Sequence, residues 1–423
     1  MNRIYLTPFN FKAIILYHKL ISQGKKVSGF LDANSYLWNK SYEDIGIYQR
    51  CYLSDAVVTV CAETPETNLA IINELKELGY NEEAIQIYNE VIYDRFVDNV
   101  NIDQLLNILP KSNYYLMGVV EDFSKLKKMH ECNIDTNNIS YNDLFGLNRR
   151  EVFGNKIFLN KLEVTVTHKC SLKCRKCVSG MQYFDKPTDF DVDQIIKDYG
   201  RALKLIDWVD RIVIIGGEPF ICQDLGQLLE EMHNDPNTRR KVGAIKIITN
   251  GTVIPCQRVL QAIHDYDVTI WISNYGEKSK KICELIEAFR KEEINYSILN
   301  IKSWSDVIQL NNERKIQSEE CLINRRKNDC VTRCRTIAGG KFYLCSLLKT
   351  MDCLGITPFT SSDYVDLYAE DARDKISKML DMKRPLPNAC SFCTGCSEQA
   401  WNDGTIEVAE QVQKPLPYIR ERV

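Results

Sequence analysis

The apolar and polar positions of the first hundred residues alternate between strand-like and helix-like segments. Short apolar runs predict strands, and longer segments with helical periodicity predict helices. The predicted strands are Ile4–Leu6, Val27–Leu31 and Ala56–Cys61, and the predicted helices are Phe11–Ser22 and Asn68–Leu78. We therefore expect residues 1–98 to form a small α/β domain.

The turn after the first predicted strand, from Thr7 to Phe11, contains no glycine. A dinucleotide-binding turn uses glycines to let its backbone approach a pyrophosphate, so this turn lacks that fingerprint. Asp32 follows the second strand, where a carboxylate can meet a ribose hydroxyl, but a solvated turn residue is the simpler interpretation. The polar, Asn-rich residues 99–157 are expected to form a connector or a small helical insert.

A second series of alternating strands and helices begins near residue 158. Its predicted strands are Leu162–Thr167, Ile212–Ile215, Ile245–Thr249, Val268–Ser273 and Tyr296–Ile301. The segment after Asp191 has helical periodicity, and Gln194 three residues later completes a capping-box pattern. Strands that alternate with helices form parallel sheets, so we expect one here.

Composition and charge exclude several classes of protein. Hydrophobic residues make up 44% and charged residues 26% of the 423 residues, which is typical of a folded, multidomain chain. The net charge of -3 offers no field that would attract nucleic acid or an anionic membrane. No apolar run approaches the roughly 18 residues that span a bilayer. Lys12, His18 and Lys19 interrupt any signal-peptide segment, so we expect a cytoplasmic protein.

The chain contains 17 cysteines, which is unusual for a reducing compartment. Three of them, Cys170, Cys174 and Cys177, lie within eight residues directly after the first strand of the second series. The loop is too polar to be a buried core segment, and three thiolates leave one position of a four-ligand metal site open. A zinc site completed by a distant residue is the alternative from spacing alone.

Two more motifs follow the next strands in order. Gly216-Gly217-Glu218-Pro219 follows the second strand, and Thr249-Asn250-Gly251 follows the third. Together with Cys-x3-Cys-x2-Cys after the first strand, this order resembles the radical SAM superfamily. The resemblance implies a partial parallel (β/α)6-type barrel over 158–320. The pattern of strands and helices places a Rossmann-like α/β domain at 1–98 and the connector at 99–157 before it.

The resemblance also implies a cofactor and a reaction. Cys170, Cys174 and Cys177 would bind three irons of a 4Fe-4S cluster, and S-adenosylmethionine would chelate the fourth iron. Reductive cleavage of S-adenosylmethionine would give a 5'-deoxyadenosyl radical that abstracts a substrate hydrogen, and a low-potential donor such as flavodoxin or ferredoxin would supply the electron. The implied S-adenosylmethionine contacts are Gly216, Gly217, Glu218, Pro219, Thr249, Asn250 and Ser273.

Eight further cysteines crowd the region after the barrel. Cys334 precedes a predicted hairpin that ends at Cys345, and a Cys-x2-Cys-x2-Cys group follows at Cys390, Cys393 and Cys396. This region, 321–400, resembles a SPASM or twitch extension, and residues 401–423 form a C-terminal tail. The resemblance implies one auxiliary 4Fe-4S cluster on Cys334, Cys345 and two of the last three cysteines. Two clusters are implied if Cys321, Cys330 and Cys353 also bind iron, and a zinc ribbon is the alternative.

The substrate is the least determined feature. The α/β domain at the N-terminus favours oxidation or epimerisation of a sugar, a nucleotide sugar or another small metabolite. A peptide- or protein-modifying maturase and a non-catalytic iron-sulfur or zinc interaction protein are the alternatives. No catalytic residue beyond the cofactor is assigned, although Cys222, Cys256 and Tyr275 lie near the motifs.

The other scattered cysteines are expected to pack as small buried hydrophobes. They are Cys51, Cys61, Cys132, Cys222, Cys256 and Cys283.

Overall fold

A computed structural model describes fifteen ranges of the chain. They are residues 3–62, 65–88, 99–101, 104–105, 108, 123, 126–127, 151–302, 304–305, 310, 318–328, 330, 334–356, 363–393 and 405–418. The chain divides into two compact units, residues 1–149 and 150–423. The predicted Asn-rich connector between 131 and 150, Cys132 and Cys396 lie outside the described residues.

The first unit is built on a six-stranded sheet with the order β3-β4-β2-β1-β5-β6. All neighbours in this sheet are parallel except β3 and β4. The strands are β1 (Arg3–Thr7), β2 (Val27–Asp32), β3 (Lys40–Tyr42), β4 (Ile45–Gln49), β5 (Ala56–Val60) and β6 (Ile85–Ile87), and the helices are α1 (Phe11–Ser22) and α2 (Pro65–Glu77). These elements confirm the predicted strands and helices of the N-terminal domain.

The strand order of the first unit reverses beside β1, which is where doubly wound sheets bind their ligands. Here the loops are tied to one another: Asn10 donates from Nδ2 to Cys61 O at 2.9 Å. Asp32 is buried and accepts from the backbone N–H of Phe9 at 2.8 Å and of Asn34 at 2.7 Å. The expectation that Asp32 is a solvated turn residue is therefore wrong, because its carboxylate satisfies buried backbone donors.

The second unit is built on a longer sheet with the order β12-β11-β10-β9-β8-β14-β15-β16. Its central strands are β8 (Lys156–Thr165), β9 (Trp208–Ile215), β10 (Val242–Thr249), β11 (Thr269–Asn274) and β12 (Tyr296–Asn300), and all are parallel. The helices between them are α3 (Val192–Leu205), α4 (Leu225–Asn234), α5 (Pro236–Lys241), α6 (Gln257–Asp265) and α7 (Ile282–Lys291). The α/β class and the parallel sheet are confirmed.

Local signals explain where these elements begin. Asp191 caps α3, because its Oδ1 accepts from the backbone N–H of Gln194 at 3.1 Å. The apolar faces of the helices cover one side of the sheet with residues such as Tyr199, Leu228 and Ile263, all buried. The opposite face of the sheet carries polar residues, including Lys161, Glu163 and Arg211.

Among the remaining elements of the second unit, three strands extend the sheet beyond β8, one pairs with β8, and two form a separate two-stranded sheet. These elements are β7 (Val152–Phe153), β13 (Trp304–Ser305), β14 (Arg335–Ala338), β15 (Lys341–Tyr343), β16 (Tyr364–Asp366) and β17 (Thr405–Ile406), with α8 (Glu319–Asn328), α9 (Ser346–Cys353) and α10 (Ala372–Leu380). The predicted hairpin before Cys345 is β14 and β15, which pair antiparallel. β14 also lies parallel to β8, a pairing that the sequence does not predict. None of the helices among the described residues is long and apolar enough to cross a bilayer.

Candidate active site

Three motifs meet at one edge of the second sheet because β8, β9 and β10 are adjacent and parallel. The segment from Cys170 to Cys177, called here the cluster loop, follows β8. Gly216 to Pro219 follow β9, and Thr249 to Gly251 end β10. The carboxyl ends of parallel strands form active sites in barrels of this kind.

The three cysteines of the cluster loop are close enough for their charges to interact. Burial raises the pKa of Cys170 and of Cys174 to about 12, and it also raises the pKa of Cys177. Metal ligation requires thiolates, so occupation of this site would release protons. The Cys177 sulfur already receives backbone N–H groups from the turn at 179–181, which favour the thiolate form.

The two glycines after β9 are required by the cluster loop itself. A Cβ atom on Gly217 would lie 2.2 Å from the carbonyl oxygen of Lys169, and one on Gly216 would lie 2.8 Å from that of Thr167. Backbone hydrogen bonds of 2.8 and 2.9 Å run from Gly217 N to Thr167 O and from Glu218 N to Lys169 O. The bare backbone therefore lets the second motif lie directly against the loop that carries the cysteines.

The Glu218 carboxylate joins the second motif to the third. It is fully buried, and it accepts from Thr249 Oγ1 at 2.9 Å and from the backbone N–H of Asn250 at 2.8 Å. Phe220 N donates to it at 3.2 Å. Burial raises the pKa of Glu218 to about 7, although these hydrogen bonds oppose the shift.

Asn250 extends the connection back to the cluster loop. Its Nδ2 lies 3.3 Å from Ser171 Oγ and 3.5 Å from Cys170 Sγ. Its Oδ1 accepts from the backbone N–H of Thr252 at 3.0 Å, which holds the amide in place. Glu218 and Asn250 thus form a chain of contacts that runs from β9 through β10 to Cys170.

The end of β11 completes the same edge. Ser279 donates from Oγ to Asn250 O at 2.7 Å and accepts from the backbone N–H of Tyr275 at 3.0 Å. The Tyr275 hydroxyl bonds to the Ser273 side chain, and burial together with the neighbouring thiols raises the pKa of Tyr275. Ser273 and Tyr275 therefore face the cysteines across the edge of the sheet.

Sequence reasoning missed a contact from the C-terminal tail. Gln411 donates from Nε2 to Cys174 Sγ at 3.3 Å, although 237 positions separate the two residues. No local pattern marks Gln411 in the sequence. Sequence reasoning also missed Lys349, which is almost completely buried on α9, with its Nζ 3.5 Å from His168 Nε2. Burial lowers the pKa of both groups, that of His168 to about 3.

The structure gathers a second set of cysteines beyond the hairpin. Cys345 and Cys390 interact electrostatically with each other, and each of them also interacts with Cys330 and Cys393. Burial raises the pKa of Cys345 and Cys390. Cys334 also interacts with Cys345, but its sulfur accepts from Lys161 Nζ at 3.0 Å. The predicted ligands Cys345, Cys390 and Cys393 are thus brought together, with Cys330 beside them.

Two arginines donate hydrogen bonds to backbone carbonyl oxygens around this second set of cysteines. Arg325 donates to Cys390 O at 3.1 Å and also to Cys393 O. Arg335 is buried, donates to Leu344 O at 2.9 Å and forms an ion pair with Glu151. Cations near thiolates favour a negatively charged centre there.

Cysteine thiolates bind both zinc ions and iron-sulfur clusters. A zinc ion needs its ligands to converge at about 2.3 Å from one point. Within the described part of the chain, no three His, Cys, Asp or Glu side chains converge on one metal ion. A cubane cluster needs only one thiolate at each of its separate irons, so its ligands stand further apart.

The scattered cysteines follow the expectation only in part. Cys61 and Cys222 are buried as predicted, and Cys222 belongs to the core of the second unit. Cys51, Cys256 and Cys283 are exposed, so the prediction was wrong for them. Cys283 lies on the outward face of α7, where the phase of the helix decides exposure.

Comparison with family models finds a match over part of the second unit. Residues 164–301, which contain the cluster loop and the two following motifs, match the model of the radical SAM superfamily. This part of the chain is therefore similar to the radical SAM superfamily.

Two curated proteins resemble parts of the chain. A 7-carboxy-7-deazaguanine synthase of Pyrobaculum aerophilum is 30% identical over 111 residues, which cover 26% of this chain and 46% of that protein. A molybdenum cofactor biosynthesis protein of Caenorhabditis elegans is 29% identical over 110 residues, which cover 26% of this chain and 17% of that protein. The chain thus spans less than half the length of either relative.

Similar solved structures include BtrN in complex with AdoMet and 2-DOIA, at 14% identity and a TM-score of 0.35, with 62% of this chain and 100% of that chain covered. Streptococcus suis SuiB bound to S-adenosylmethionine is 13% identical with a TM-score of 0.28, with 73% and 77% covered. At these scores neither structure assigns a substrate.

Proposed function

We propose that the protein reductively cleaves S-adenosylmethionine and abstracts a hydrogen atom from a small metabolite, oxidising or epimerising it. The observation that carries this proposal is the continuous connection between the three motifs. Glu218 joins the motif after β9 to Asn250, and Asn250 reaches Cys170 on the cluster loop. A protein that used its cysteines only for structure would have no need of this buried carboxylate and amide.

The cysteines of the cluster loop would hold a 4Fe-4S cluster through three irons. The cluster and S-adenosylmethionine, when bound, supply the 5'-deoxyadenosyl radical chemistry. Cys170, Cys174 and Cys177 present no fourth thiolate in the loop, which leaves one iron for S-adenosylmethionine. The residues from Gly216 to Pro219 would hold its methionine end.

The residues around the site would hold the Thr249-Asn250 turn in place and exclude water from the space next to the cysteines. Glu218 fixes the Thr249-Asn250 turn, and Ser279 fixes the same turn from the side of β11. Asn250, Ser273 and Tyr275 would line the space next to the cysteines. A radical formed there would be separated from water by buried or half-buried side chains.

We further propose one auxiliary 4Fe-4S cluster on Cys330, Cys345, Cys390 and Cys393. The charge interactions of Cys345 and Cys390 with each other and with the other two support this ligand set over one that includes Cys334, whose sulfur accepts from Lys161. Such a cluster could receive the electron left on an oxidised substrate radical. The cationic Arg325 nearby would offset part of its negative charge.

A small metabolite, such as a nucleotide sugar, is the proposed substrate class. The support is the first unit, whose mostly parallel sheet with a reversed strand order is an architecture that binds small molecules. A leader-peptide recognition module would instead be a small helical unit with a hairpin. The substrate class therefore rests on fold-level analogy.

The proposal is tested by substrate-dependent formation of 5'-deoxyadenosine. The anaerobically reconstituted, reduced protein is incubated with S-adenosylmethionine and either a panel of nucleotide sugars and sugars or a panel of cysteine- and serine-containing peptides. We expect a sugar or nucleotide sugar to raise the rate of 5'-deoxyadenosine formation above the rate without substrate. When that substrate is supplied in deuterated form, we expect deuterium to pass from it to 5'-deoxyadenosine. Deuterium transfer from peptides alone would contradict the substrate class and favour a maturase.

A further inference from the structure

Residues 410–412 pair with the cluster loop in a defined register. Cys174 and Gln411 form an isolated antiparallel bridge pair. Backbone hydrogen bonds of 2.7 and 2.8 Å flank this pair, from Arg175 N to Glu410 O and from Val412 N to Lys173 O. An ion pair of 2.7 Å between Arg175 Nε and Glu410 Oε1 adds a side-chain contact. The register places the Gln411 side chain beside the Cys174 sulfur.

The orientation of the Gln411 amide is determined by its partners. Its Oε1 accepts from the backbone N–H of Lys173 at 2.7 Å. Its Nε2 donates to Ala409 O at 2.6 Å and to Cys174 Sγ at 3.3 Å. The reversed amide would place an oxygen against these two acceptors and an NH2 group against a donor. One amide hydrogen is therefore directed at the sulfur.

The backbone before Gln411 supports this placement. Ala409 is completely buried and has a φ of 53°, in the left-handed region that residues with a Cβ seldom adopt. A conformation of this kind persists only where the surrounding contacts fix it. The turn at Ala409 directs the chain onto the cluster loop immediately before Glu410 and Gln411.

We propose that Gln411 is a positioning residue that raises the reduction potential of the cluster on the cluster loop through its hydrogen bond to Cys174. This inference rests on the proposed function, because it requires an iron-sulfur cluster at Cys170, Cys174 and Cys177. Hydrogen bonds to ligand sulfurs are among the factors that set cluster potentials. The donor's partial positive charge stabilises the reduced cluster more than the oxidised cluster, because the reduced form carries one more negative charge.

The test is an EPR-monitored redox titration of the reconstituted full-length protein. The signal that S-adenosylmethionine alters identifies the cluster on the cluster loop. Gln411→Met removes the donor at similar side-chain length, and Gln411→Glu replaces the donor with a carboxylate oxygen. Glu410→Gln is the matched control, since it weakens the tail's ion pair with Arg175 without touching Cys174.

We expect the reduction potential to become more negative in Gln411→Met and more negative still in Gln411→Glu. A tenfold fall in the equilibrium constant for reduction corresponds to 59 mV for one electron. Glu410→Gln should keep the wild-type potential. An unchanged potential in both Gln411 variants, or an equal shift in Glu410→Gln, would overturn the inference. If the Gln411 variants lose iron and Glu410→Gln does not, Gln411 supports the cluster site structurally and the inference that it sets the potential is overturned.

Failure of the proposed function gives a different result. If the wild-type protein binds no iron, or shows no EPR signal that S-adenosylmethionine alters, the cluster site itself is wrong and the inference is overturned with it. If the wild-type signal is present and responds to S-adenosylmethionine, the titration tests only the proposed effect of Gln411 on the reduction potential.

Discussion

The backbone N–H of Asn250 donates a hydrogen bond of 2.8 Å to the carboxylate of Glu218, which is fully buried. This bond joins the ends of β9 and β10, and Asn250 carries the connection to Cys170. Burial raises the pKa of Glu218 to about 7 from an ordinary value near 4.5. The carboxyl group that holds the site together therefore titrates within the physiological pH range.

Glu218 should make the folding stability of the metal-free protein depend on pH. Because its pKa is raised in the folded state, the folded protein binds the proton more tightly than the unfolded chain does between about pH 4.5 and 7. The contribution of Glu218 to stability, measured as the difference between the wild type and Glu218→Gln, should fall as pH rises through this window, by up to about 3 kcal/mol at about 1.4 kcal/mol for each pH unit. Urea unfolding at pH 5 and pH 8 measures the change.

Glu218→Gln is the control for this pH dependence, since glutamine does not titrate. The variant loses one acceptor and should be less stable than the wild type at pH 5. The difference between the two proteins should shrink at pH 8. A difference that is constant across this range would show that Glu218 does not titrate there.

Gly217→Ala should disrupt the packing of the second motif on the cluster loop. The added Cβ would lie 2.2 Å from the backbone oxygen of Lys169, which cannot move aside as a flexible side chain could. Overpacking of this kind costs about 1–3 kcal/mol and displaces the loop. We expect a lower free energy of unfolding and less iron bound after reconstitution.

Gly226→Ala is the matched control for Gly217→Ala. Gly226 lies in α4, and its Cβ would meet only Arg258 at an ordinary distance of 3.5 Å. Stability should be unchanged or raised by up to about 1 kcal/mol. Equal effects of the two substitutions would contradict the role given to Gly217.

Glu151→Ala should strongly destabilise the second unit. Arg335 and Glu151 are both buried, and the carboxylate accepts from Arg335 Nε at 3.0 Å and from its Nη2 as well. Removing one partner of a buried pair leaves an uncompensated charge and costs about 3–5 kcal/mol. Chemical denaturation of the metal-free protein measures the loss.

Two controls separate charge burial from other effects at Glu151. Lys375→Ala breaks an exposed pair with Asp371 on α10 and should cost less than about 1 kcal/mol. The double variant Glu151→Leu with Arg335→Met should recover much of the stability, because it leaves no buried charge. A double variant as unstable as Glu151→Ala would show that packing, and not charge, is responsible.

Single alanine substitutions should show which cysteines hold the auxiliary cluster. Cys330→Ala and Cys345→Ala should each lower the iron content by about four atoms per chain, the content of one 4Fe-4S cluster. Cys283→Ala removes an exposed thiol on α7 and should keep the full iron content. If Cys334→Ala loses the cluster and Cys330→Ala keeps it, the set proposed from sequence spacing is the correct one.

The sequence predicted the central sheet because each strand carries a short apolar run, such as Ile212–Ile215 in β9. Runs of this kind are recognisable without knowledge of the strand's partner. The hairpin of β14 and β15 was also predicted, since its turn at Gly339 and Gly340 is local. The pairing of β14 with β8 was not, because it joins residues more than 170 positions apart.

In the site, too, the sequence predicted features within one loop and missed contacts between distant segments. The spacing of Cys170, Cys174 and Cys177 predicted one metal site because the three residues share a single loop. The contact of Gln411 with Cys174 depends on how the distant tail folds back, and no sequence pattern marks it. The sequence spacing likewise favoured Cys334 over Cys330 as a ligand of the auxiliary cluster. In the structure, however, the Cys334 sulfur accepts a hydrogen bond from Lys161.

The central claim is that Cys170, Cys174 and Cys177 hold the cluster that cleaves S-adenosylmethionine. The most direct test compares the reconstituted, reduced wild-type protein with a variant that carries alanine at all three positions, and quantifies 5'-deoxyadenosine by mass spectrometry. We expect the wild type to form 5'-deoxyadenosine and the variant to form none while it retains about four irons of an auxiliary cluster. A wild-type protein that binds iron but forms no 5'-deoxyadenosine, or a variant that forms as much as the wild type, would contradict the claim.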